Sequence, residues 1–481
     1  MMRVRFGLPL ILALAALPSA GGAQTPAPAT PAPPASTPPA ATPAAPAMTP
    51  RAPLPAPPGI RPFATPQELV GRELALEEAV NIGLENAPII VARIGDYVAA
   101  QQRVSQALAP LLPQLTGSGS YGRQRFINTI GGGDNTSDFG SASVTASQLL
   151  FDFGRTWAAK DVAKSSAEAL KEILEAQKLD IAQLVKTQYF TLLLSKRLVQ
   201  VNLAALDRAE VNLRSAKGFF QVGTQPKSFV TRAEVDVANG RVNVIRAQNA
   251  VNLARVALNT AMGIAVNAPT EVKDVLAYQE FPTNRDLLVS EALRNRPEYR
   301  QVKAQADGAL ASVRQTFRDF FPNLFGSGTY GVAGVTGTPA AGSRSTSGFI
   351  DSGNQWNVGL TLSWSIFDGG ARIARYKEAK ANVEAAQARV RDTELQIWQN
   401  VEQSYLNLGE AEERIGAAQK AVESAEENYQ LARGRFDAGV ANIIELTDAQ
   451  LALTQAQSDE AQALSDYRIA IARLERALGR R

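Results

Sequence analysis

The chain is a tandem duplication of one long unit, and this repeat limits its fold more than any other feature. Asn86-Ala87-Pro88 recurs as Asn295-Arg296-Pro297, an offset of 209 residues. The hexad GSGSYG at 117–122 recurs as GSGTYG at 326–331 with the same offset, and beyond a seven-residue insertion the offset becomes 216. Repeats of this length far exceed those of solenoid proteins, so we expect two copies of one large structural unit.

Each unit contains one very long helical segment. Residues 155–217 contain neither glycine nor proline and residues 371–438 contain no proline, so a helix of about 67 residues can run through each. Large apolar residues recur at every seventh position in both segments, with alanines beside them. The large residues are Val185, Leu192, Val199, Leu206, Leu213 and Phe220, with duplicates Val401, Leu408, Ile415, Val422, Tyr429 and Phe436; the alanines are Ala209, Ala216, Ala411, Ala418, Ala425 and Ala432. This pattern predicts close coiled-coil packing of helices about 100 Å long.

Shorter helical segments flank each long one. One segment ends near Leu112 in the first unit and near Phe321 in the second, just before a change of period. A turn containing Gly223 or Gly439 follows each long segment, and a closing helix of about 38 residues comes next. We therefore expect the same order of helices in both units.

Between residues 113 and 154, and again between 322 and 370, the hydrophobic period becomes two. The segment from Trp356 to Ile366 alternates apolar and small polar residues over 11 positions, about the length of a tilted transmembrane strand. Trp356 and Trp364 lie near its two ends, where interfacial aromatic residues belong. Taken alone, the pattern also fits a soluble hairpin with one face on a core.

The glycine hexads formally match the dinucleotide-binding pattern G-x-G-x-x-G. That motif requires a turn from a strand into a helix whose N-terminus binds the pyrophosphate. Here both hexads enter an alternating segment, so we expect small residues within strands and no nucleotide site.

The N-terminal region is typical of an exported protein. Two arginines, an apolar run at 8–17 and small residues at 21–23 predict a signal peptide over residues 1–23. Residues 24–66 hold 16 of the 27 prolines in the chain, which predicts an extended Pro/Ala-rich tether. The apolar run is too short to cross a bilayer as a helix, so a membrane-spanning region would have to be built from strands.

The amino-acid composition excludes several kinds of catalytic and metal-binding site. The chain has no cysteine and no histidine, which excludes disulfides, thiol nucleophiles, Cys/His zinc sites and histidine acid–base catalysis. Its 49 basic and 46 acidic side chains nearly balance, so we expect no nucleic-acid partner. A carboxylate-based hydrolase is conceivable, but no clustered site points to one. We predict no catalytic residues, no cofactor and no metal site.

The ordered set of features resembles the outer-membrane efflux (TolC) family. Both units carry an N-x-P helix, a Pro-x-Leu entry into a hairpin, an F-D-G-like exit, a long helix and a glycine turn. The most specific local similarity is the segment 436–450 around the second turn. The resemblance covers almost everything from residue 67 to 479 and implies repeats at 67–270 and 284–481, joined by a connector at 271–283.

The resemblance implies a mainly α fold with a β-barrel portion. Each chain would contribute four strands to a 12-stranded transmembrane barrel of a homotrimer, and its long helices to a periplasmic α-barrel. The implied function is a passive outer-membrane duct for efflux or type I secretion, working with a periplasmic adaptor and an inner-membrane pump. The alternative is a periplasmic coiled-coil adaptor or structural spacer, although such proteins lack the whole-length duplication.

The resemblance also implies site residues. The turns at Val222-Gly223-Thr224 and Ala438-Gly439-Val440 correspond to the tip that docks the adaptor. Glu445 and Asp448 correspond to inward acidic residues of a gate, about one and a half to two and a half turns into the closing helix. Ala441 stands where some members have a basic partner, so no cation is expected beside this gate at that position.

Overall fold

The computed structural model describes residues 72–127, 134–282, 284–337 and 351–481. The expected signal peptide and tether lie outside these residues, and the unit limits proposed above stay a prediction. Among the described residues, no helix combines the length and the apolar character needed to cross a bilayer.

The same series of elements occurs twice. The first series comprises β1 (Glu73–Leu74), α1 (Leu76–Asn86), α2 (Pro88–Leu108), β2 (Gln114–Ile127), β3 (Asp134–Phe151), α3 (Arg155–Gln221) and α4 (Lys227–Ala261). The second comprises β4 (Glu271–Val272), α5 (Arg285–Asn295), α6 (Pro297–Arg318), β5 (Asn323–Gly337), β6 (Asp351–Ser363), α7 (Ala371–Asp437) and α8 (Ile443–Leu478). The element order predicted from the duplication is confirmed.

Both long helices have the predicted length. Helices α3 and α7 contain 67 residues each, and the closing helices α4 and α8 contain 35 and 36, slightly fewer than expected. Each long helix begins after a left-handed glycine, Gly154 or Gly370, and ends in a turn with a second one, Gly223 or Gly439. Glycine occupies these positions because a side chain there would strain the backbone.

The heptad pattern marks the contacts of the long helices, but burial along it is uneven. Val185 and Leu192 are fully buried, as are Val401, Leu408 and Ile415, whereas Phe220 is 45% exposed. The buried residues belong to two apolar cores near the middle of α3 and α7, where the short helices and the β1–β4 pair pack against them. Whether a heptad residue is buried therefore depends on which other elements pack against the long helix at that position.

The four longer strands form one antiparallel sheet in the order β2-β3-β5-β6. Both glycine hexads lie within its strands, in β2 and β5, as the sequence predicted. Strand β6 ends at Ser363, three residues before the expected end at Ile366. Asn323 pairs with Ser363, so the next residue opposite Trp364 would be Pro322, which has no backbone N–H to continue the ladder.

Candidate functional site

The two glycine turns lie together at one end of the helical region. Phe219 of α3 and Phe436 of α7 are in edge-to-face contact, with ring centroids 5.6 Å apart, directly before the two turns. An apolar cluster from all four long and closing helices continues beneath them. It contains Ala216, Ala233, Tyr429, Ala432, Phe436, Ala441, Ile443, Leu446, Ala449 and Leu453. This cluster fixes the turns relative to each other.

The turns themselves present apolar side chains to solvent. All six residues predicted for the docking tip are exposed, and Val222 and Val440 are 73% and 72% exposed. Thr224 N donates to Phe219 O at 3.0 Å and Val440 N donates to Arg435 O at 3.0 Å, so both turns close over the preceding helix in the same way. The tip is a pair of hydrogen-bonded turns that carries two exposed valines.

Glu445 and Asp448 lie close to this tip. Helix α8 begins at Ile443 after the cap Asn442, whose side-chain oxygen accepts from Ile444 N at 3.3 Å. Glu445 is therefore in the first helical turn and Asp448 in the second, nearer the tip than the sequence estimate. Spaced three apart, the two carboxylates share one helix face. Asp448 is exposed, and the Glu445 side chain is 42% exposed.

A basic residue accompanies this pair, although sequence reasoning did not find it. Arg435 Nη1 of α7 lies 3.3 Å from Glu445 Oε1 of α8. The expected position of such a partner, Ala441, is buried in the tip cluster and carries no charge. The signal in the sequence was Arg435 in the last turn before Gly439, where a cation also interacts favourably with the helix end.

The sheet has one apolar and one polar face, as the alternating pattern predicted. The register aligns Val144, Tyr330 and Trp356 in one row across β3, β5 and β6. These side chains and the neighbouring Val358, Leu360 and Leu362 are 48–79% exposed in the chain. An exposed apolar face of this size in a folded chain indicates contact with another apolar phase or partner.

The opposite face consists mainly of hydroxyl and amide side chains. Thr145 Oγ1 and Thr329 Oγ1 are 3.0 Å apart, and Ser118 Oγ and Ser143 Oγ are 2.8 Å apart, each pair hydrogen-bonded across strands. Asn357 continues the row of Thr329. The side chains named here are polar and uncharged, which suits contact with water.

The two tryptophans differ in their surroundings. Trp356 is 75% exposed within β6. Trp364 follows the strand, is 56% exposed, and donates its Nε1–H to Phe320 O at 3.1 Å. The indole of Trp364 is therefore fixed to the short helical turn after α6, at the junction between sheet and helices.

Comparison with known proteins agrees with this architecture. The profile of the outer membrane efflux protein family matches residues 80–264 and 288–480, once in each half of the chain. The chain belongs to the outer membrane efflux protein family. It is 24% identical over 84% of its length to the outer membrane protein TolC of Vibrio cholerae, covering 90% of that protein. It is 26% identical over 65% of its length to the alkaline protease secretion protein AprF of Pseudomonas aeruginosa, and this match spans 65% of AprF, slightly under two thirds.

A solved structure shows the same fold. The CmeC outer membrane channel of Campylobacter jejuni superposes with a TM-score of 0.70 at 18% identity, over 84% of this chain and 85% of CmeC. Family membership makes the chain an outer-membrane duct with a long periplasmic helical portion, and it does not support the alternative of a periplasmic spacer. The family consists of channel proteins and not of enzymes.

Proposed function

We propose that three copies of this chain close into one passive duct, which serves as the outer-membrane segment of an efflux or type I secretion system. In this proposal a periplasmic adaptor and an inner-membrane pump supply the energy and the substrate, and the chain catalyses no reaction. The observation that carries the proposal is the four-stranded amphipathic sheet, whose outer strands β2 and β6 each pair with a neighbour on one side only in the described chain.

Such a sheet cannot lie alone in a bilayer, because unpaired N–H and C=O groups are costly in hydrocarbon. Strands β2 and β6 run in opposite directions, since three antiparallel pairings separate them. The β6 edge of one copy can therefore pair with the β2 edge of the next without breaking the antiparallel order. Three copies give twelve strands, a number that leaves room for an aqueous lumen, and three is the number implied by the family resemblance.

The helices support the same closure. Within the described chain, α3 packs against α8, whereas α4 packs chiefly on α3, and α7 packs on α8 and the short helices of the second unit. Helices α4 and α7 each retain exposed large apolar side chains. These are Val235, Val242, Ile245 and Leu253 on α4, and Leu395, Trp398, Leu406 and Leu431 on α7. Contact between α4 of one copy and α7 of the next would cover both sets.

Within this duct, the tip would bind the adaptor, and Glu445 and Asp448 would line the entrance. Val222 and Val440, with their neighbours in the two turns, would dock the adaptor through an exposed apolar surface. Glu445 and Asp448 would form two acidic rings at the narrowing entrance, favouring cations. Arg435 would neutralise part of the first ring through its contact with Glu445.

Reconstitution of the purified protein into planar bilayers tests the proposal. We expect discrete conductance steps from a species that migrates as a trimer on gels before heating and as a monomer after heating. Protein recovered as a soluble periplasmic monomer, or bilayers that stay silent at saturating protein, would contradict it.

A further inference from the structure

The junction between sheet and helices contains an aromatic residue in a strained backbone conformation. Phe153 has φ of 52° and is the one non-glycine residue with positive φ in the described part of the chain. Its duplicate is Gly369, with φ of 68°. A bulky residue is unfavourable in this region, whereas glycine adopts it freely. The first unit therefore places an aromatic ring where the second unit uses the unstrained residue.

The ring of Phe153 belongs to a cluster that is largely open to its surroundings. It stacks on Phe321 with centroids 5.0 Å apart and makes an edge contact with Phe151 at 4.8 Å. Phe317 contacts Phe321 at 5.8 Å and Tyr376 at 6.0 Å. Phe151, Phe153, Phe317 and Phe321 are 39–54% exposed, so this cluster, the junction aromatics, is not a buried core.

The junction aromatics continue the apolar face of the sheet. Leu150, directly before Phe151, borders a groove of about 580 Å³ on that face, together with Val358 and Leu360. The floor of this groove is Gly326 and Gly328, where side chains are absent. An apolar chain lying in the groove would end beside the junction aromatics.

Five basic side chains at the sheet ends of the adjoining helices are here named the basic row. They are Lys160 and Lys164 on α3, Arg314 on α6, and Lys377 and Lys380 on α7. Each lies within ten residues of the sheet end of its helix, or about 15 Å along the helix axis. Lys160 Nζ lies 5.2 Å from the ring of Trp157, and Lys380 Nζ lies 4.7 Å from the ring of Tyr376.

Two carboxylates lie on α3 and α7 over the same span as the basic row, Asp161 and Glu378. Asp161 pairs with Arg314 at 3.7 Å across α3 and α6. No ion pair joins any of the four lysines to a carboxylate in that part of the chain. Five basic side chains against two carboxylates leave an excess of three positive charges per copy, all on accessible or half-buried side chains.

The α3 members of the basic row lie away from the polar face of the sheet. On the other face of α3, Arg155 and Ala159 line a cavity shared with Leu149 and Asn323, which belong to the polar face of the sheet. Trp157, Lys160 and Lys164 recur at helical spacing on the opposite face. Trp157 is 53% exposed, as expected for an aromatic residue at a membrane interface.

We infer that the junction aromatics and the basic row form a binding site for the headgroups of anionic phospholipids in the periplasmic leaflet, with a lipid chain in the adjoining groove. Aromatic rings prefer the headgroup level, and lysines next to an anionic leaflet attract its phosphates. The strained Phe153 ring widens the aromatic platform at this level. The inference rests on the proposed function, because it requires the sheet to lie in a bilayer.

Contact quenching of tryptophan by brominated lipids tests this site in the full-length trimer. A reporter variant keeps Trp157 and carries Trp356→Phe, Trp364→Phe and Trp398→Phe. It is reconstituted in vesicles of equal parts phosphatidylglycerol and phosphatidylcholine, with bromine on one lipid or on the other. The ratio of the two quenching efficiencies measures the preference of the site. A second reporter that keeps Trp356 alone measures insertion of the sheet.

Each lysine close to an anionic surface strengthens attachment about fivefold, so we expect phosphatidylglycerol to be favoured by at least about tenfold at low salt. The preference should fall towards unity in high salt because the Debye length shortens. The same loss should follow Lys160→Gln, Lys164→Gln, Lys377→Gln and Lys380→Gln combined. The matched control removes the same charge far from the sheet through Lys217→Gln, Lys227→Gln, Lys273→Gln and Lys420→Gln, and should keep the preference.

Three results would overturn the inference. They are a ratio of one for Trp157 at low salt, a ratio unchanged by the quadruple substitution, and an equal loss in the control variant. In each of these cases, quenching of Trp356 and trimer conductance would show that the proposed function still holds. Absence of Trp356 quenching by either lipid would instead contradict the proposed function itself.

Discussion

Arg435 Nη1 lies 3.3 Å from Glu445 Oε1, so an ion pair spans the turn at Gly439 and joins the last turn of α7 to the first turn of α8. Both side chains are substantially exposed, at 59% and 42%, so the pair adds little to stability. Its importance lies in charge. It removes one negative charge from the proposed acidic entrance without removing a carboxylate.

The double substitution Glu445→Gln and Asp448→Asn tests the acidic entrance. It nearly preserves side-chain shape while removing two carboxylates per copy, so we expect lower cation selectivity and weaker block by trivalent cations added from the periplasmic side. Planar-bilayer reversal potentials and block titrations measure both effects. Glu460→Gln, further along α8, is the control and should change neither. A double variant that conducts, selects and blocks like the parent would show that these acids form only a solvated helix face.

Arg435→Gln should have the opposite effect on selectivity. Without the guanidinium, Glu445 carries an uncompensated charge, so the entrance becomes more negative and the cation-to-anion permeability ratio should rise. Arg433→Gln is a matched control because Arg433 lies on the same helical turn and pairs with Asp437 at 3.8 Å, away from Glu445. Equal shifts in both variants would mean that general surface charge, and not the contact with Glu445, governs permeation.

The two faces of β6 should respond differently to the same charge. Leu362 is 66% exposed on the apolar face, and Thr361 precedes it on the polar face. We expect Leu362→Arg to reduce the stability of the assembled protein by about 2–4 kcal/mol per chain if it faces the bilayer centre, and less near the interface. Thr361→Arg should assemble normally and alter conductance. Similar losses of trimer on gels from both variants would contradict this orientation of the sheet.

Much of this fold could be predicted because its strongest signals are periodic. The lengths of α3 and α7 followed from the absence of proline and from a heptad pattern repeated in both units. The alternation in β6 correctly predicted which of its side chains lie on the apolar face of the sheet and which on the polar face. Its end at Ser363 was missed because alternation alone does not show that Pro322, directly before β5 and unable to donate a hydrogen bond, lies opposite Trp364.

The contacts that depend on tertiary geometry could not be predicted as well from the sequence. Arg435 and Glu445 are ten residues apart in the sequence, and only the shape of the turn brings them together. The cluster around Phe153 joins residues of two strands' ends and two helices, which no local pattern relates. Sequence reasoning therefore placed the two turns, Glu445 and Asp448 near one another along the chain, but it did not find Arg435 beside Glu445.

The alanine positions of α7 should differ in their tolerance of larger side chains. The heptad pattern predicts close helix packing at all four alanines, Ala411, Ala418, Ala425 and Ala432. Of these, only Ala411 and Ala432 are buried, each with 3% exposure. Ala411→Leu should therefore overpack the contact with α8 and cost roughly 1–3 kcal/mol. Ala418→Leu should reduce the stability less than Ala411→Leu does. Ala417→Leu, on the exposed side of the helix, should leave the stability nearly unchanged. Denaturation midpoints in this order would support the assigned seam, whereas equal midpoints would argue against close packing at Ala411.

A partly buried ion-pair network in the middle of the helical region should give the protein a specific acid sensitivity. Glu298 of α6 accepts hydrogen bonds from Arg476 of α8 and, at 3.3 Å, from Arg296 Nε, while Arg476 Nε donates to Asp180 Oδ1 of α3 at 2.6 Å. Burial opposes ionisation of Glu298, but the two guanidinium groups outweigh it and hold the pKa of this carboxyl below its ordinary value of 4.5.

A carboxyl whose pKa is lowered by folding stabilises the protein above its unfolded-state pKa, and this contribution is lost as the pH falls through the folded-state value. We therefore expect Glu298→Gln to destabilise the protein by roughly 1–3 kcal/mol at neutral pH, because Arg476 loses a buried partner. The difference between variant and parent should shrink as the pH falls below the ordinary value of 4.5 and through the lowered folded-state pKa of Glu298, because the parent carboxyl then also becomes neutral. Glu423→Gln is the control, since Glu423 pairs with Lys420 at 2.7 Å with both side chains about 70% exposed, and it should have little effect at any pH. Thermal unfolding of the parent and both variants between neutral and acidic pH measures these differences in stability. If Glu298→Gln stays less stable than the parent by the same amount down to low pH, the shape of Glu298 and not its charge stabilises the protein.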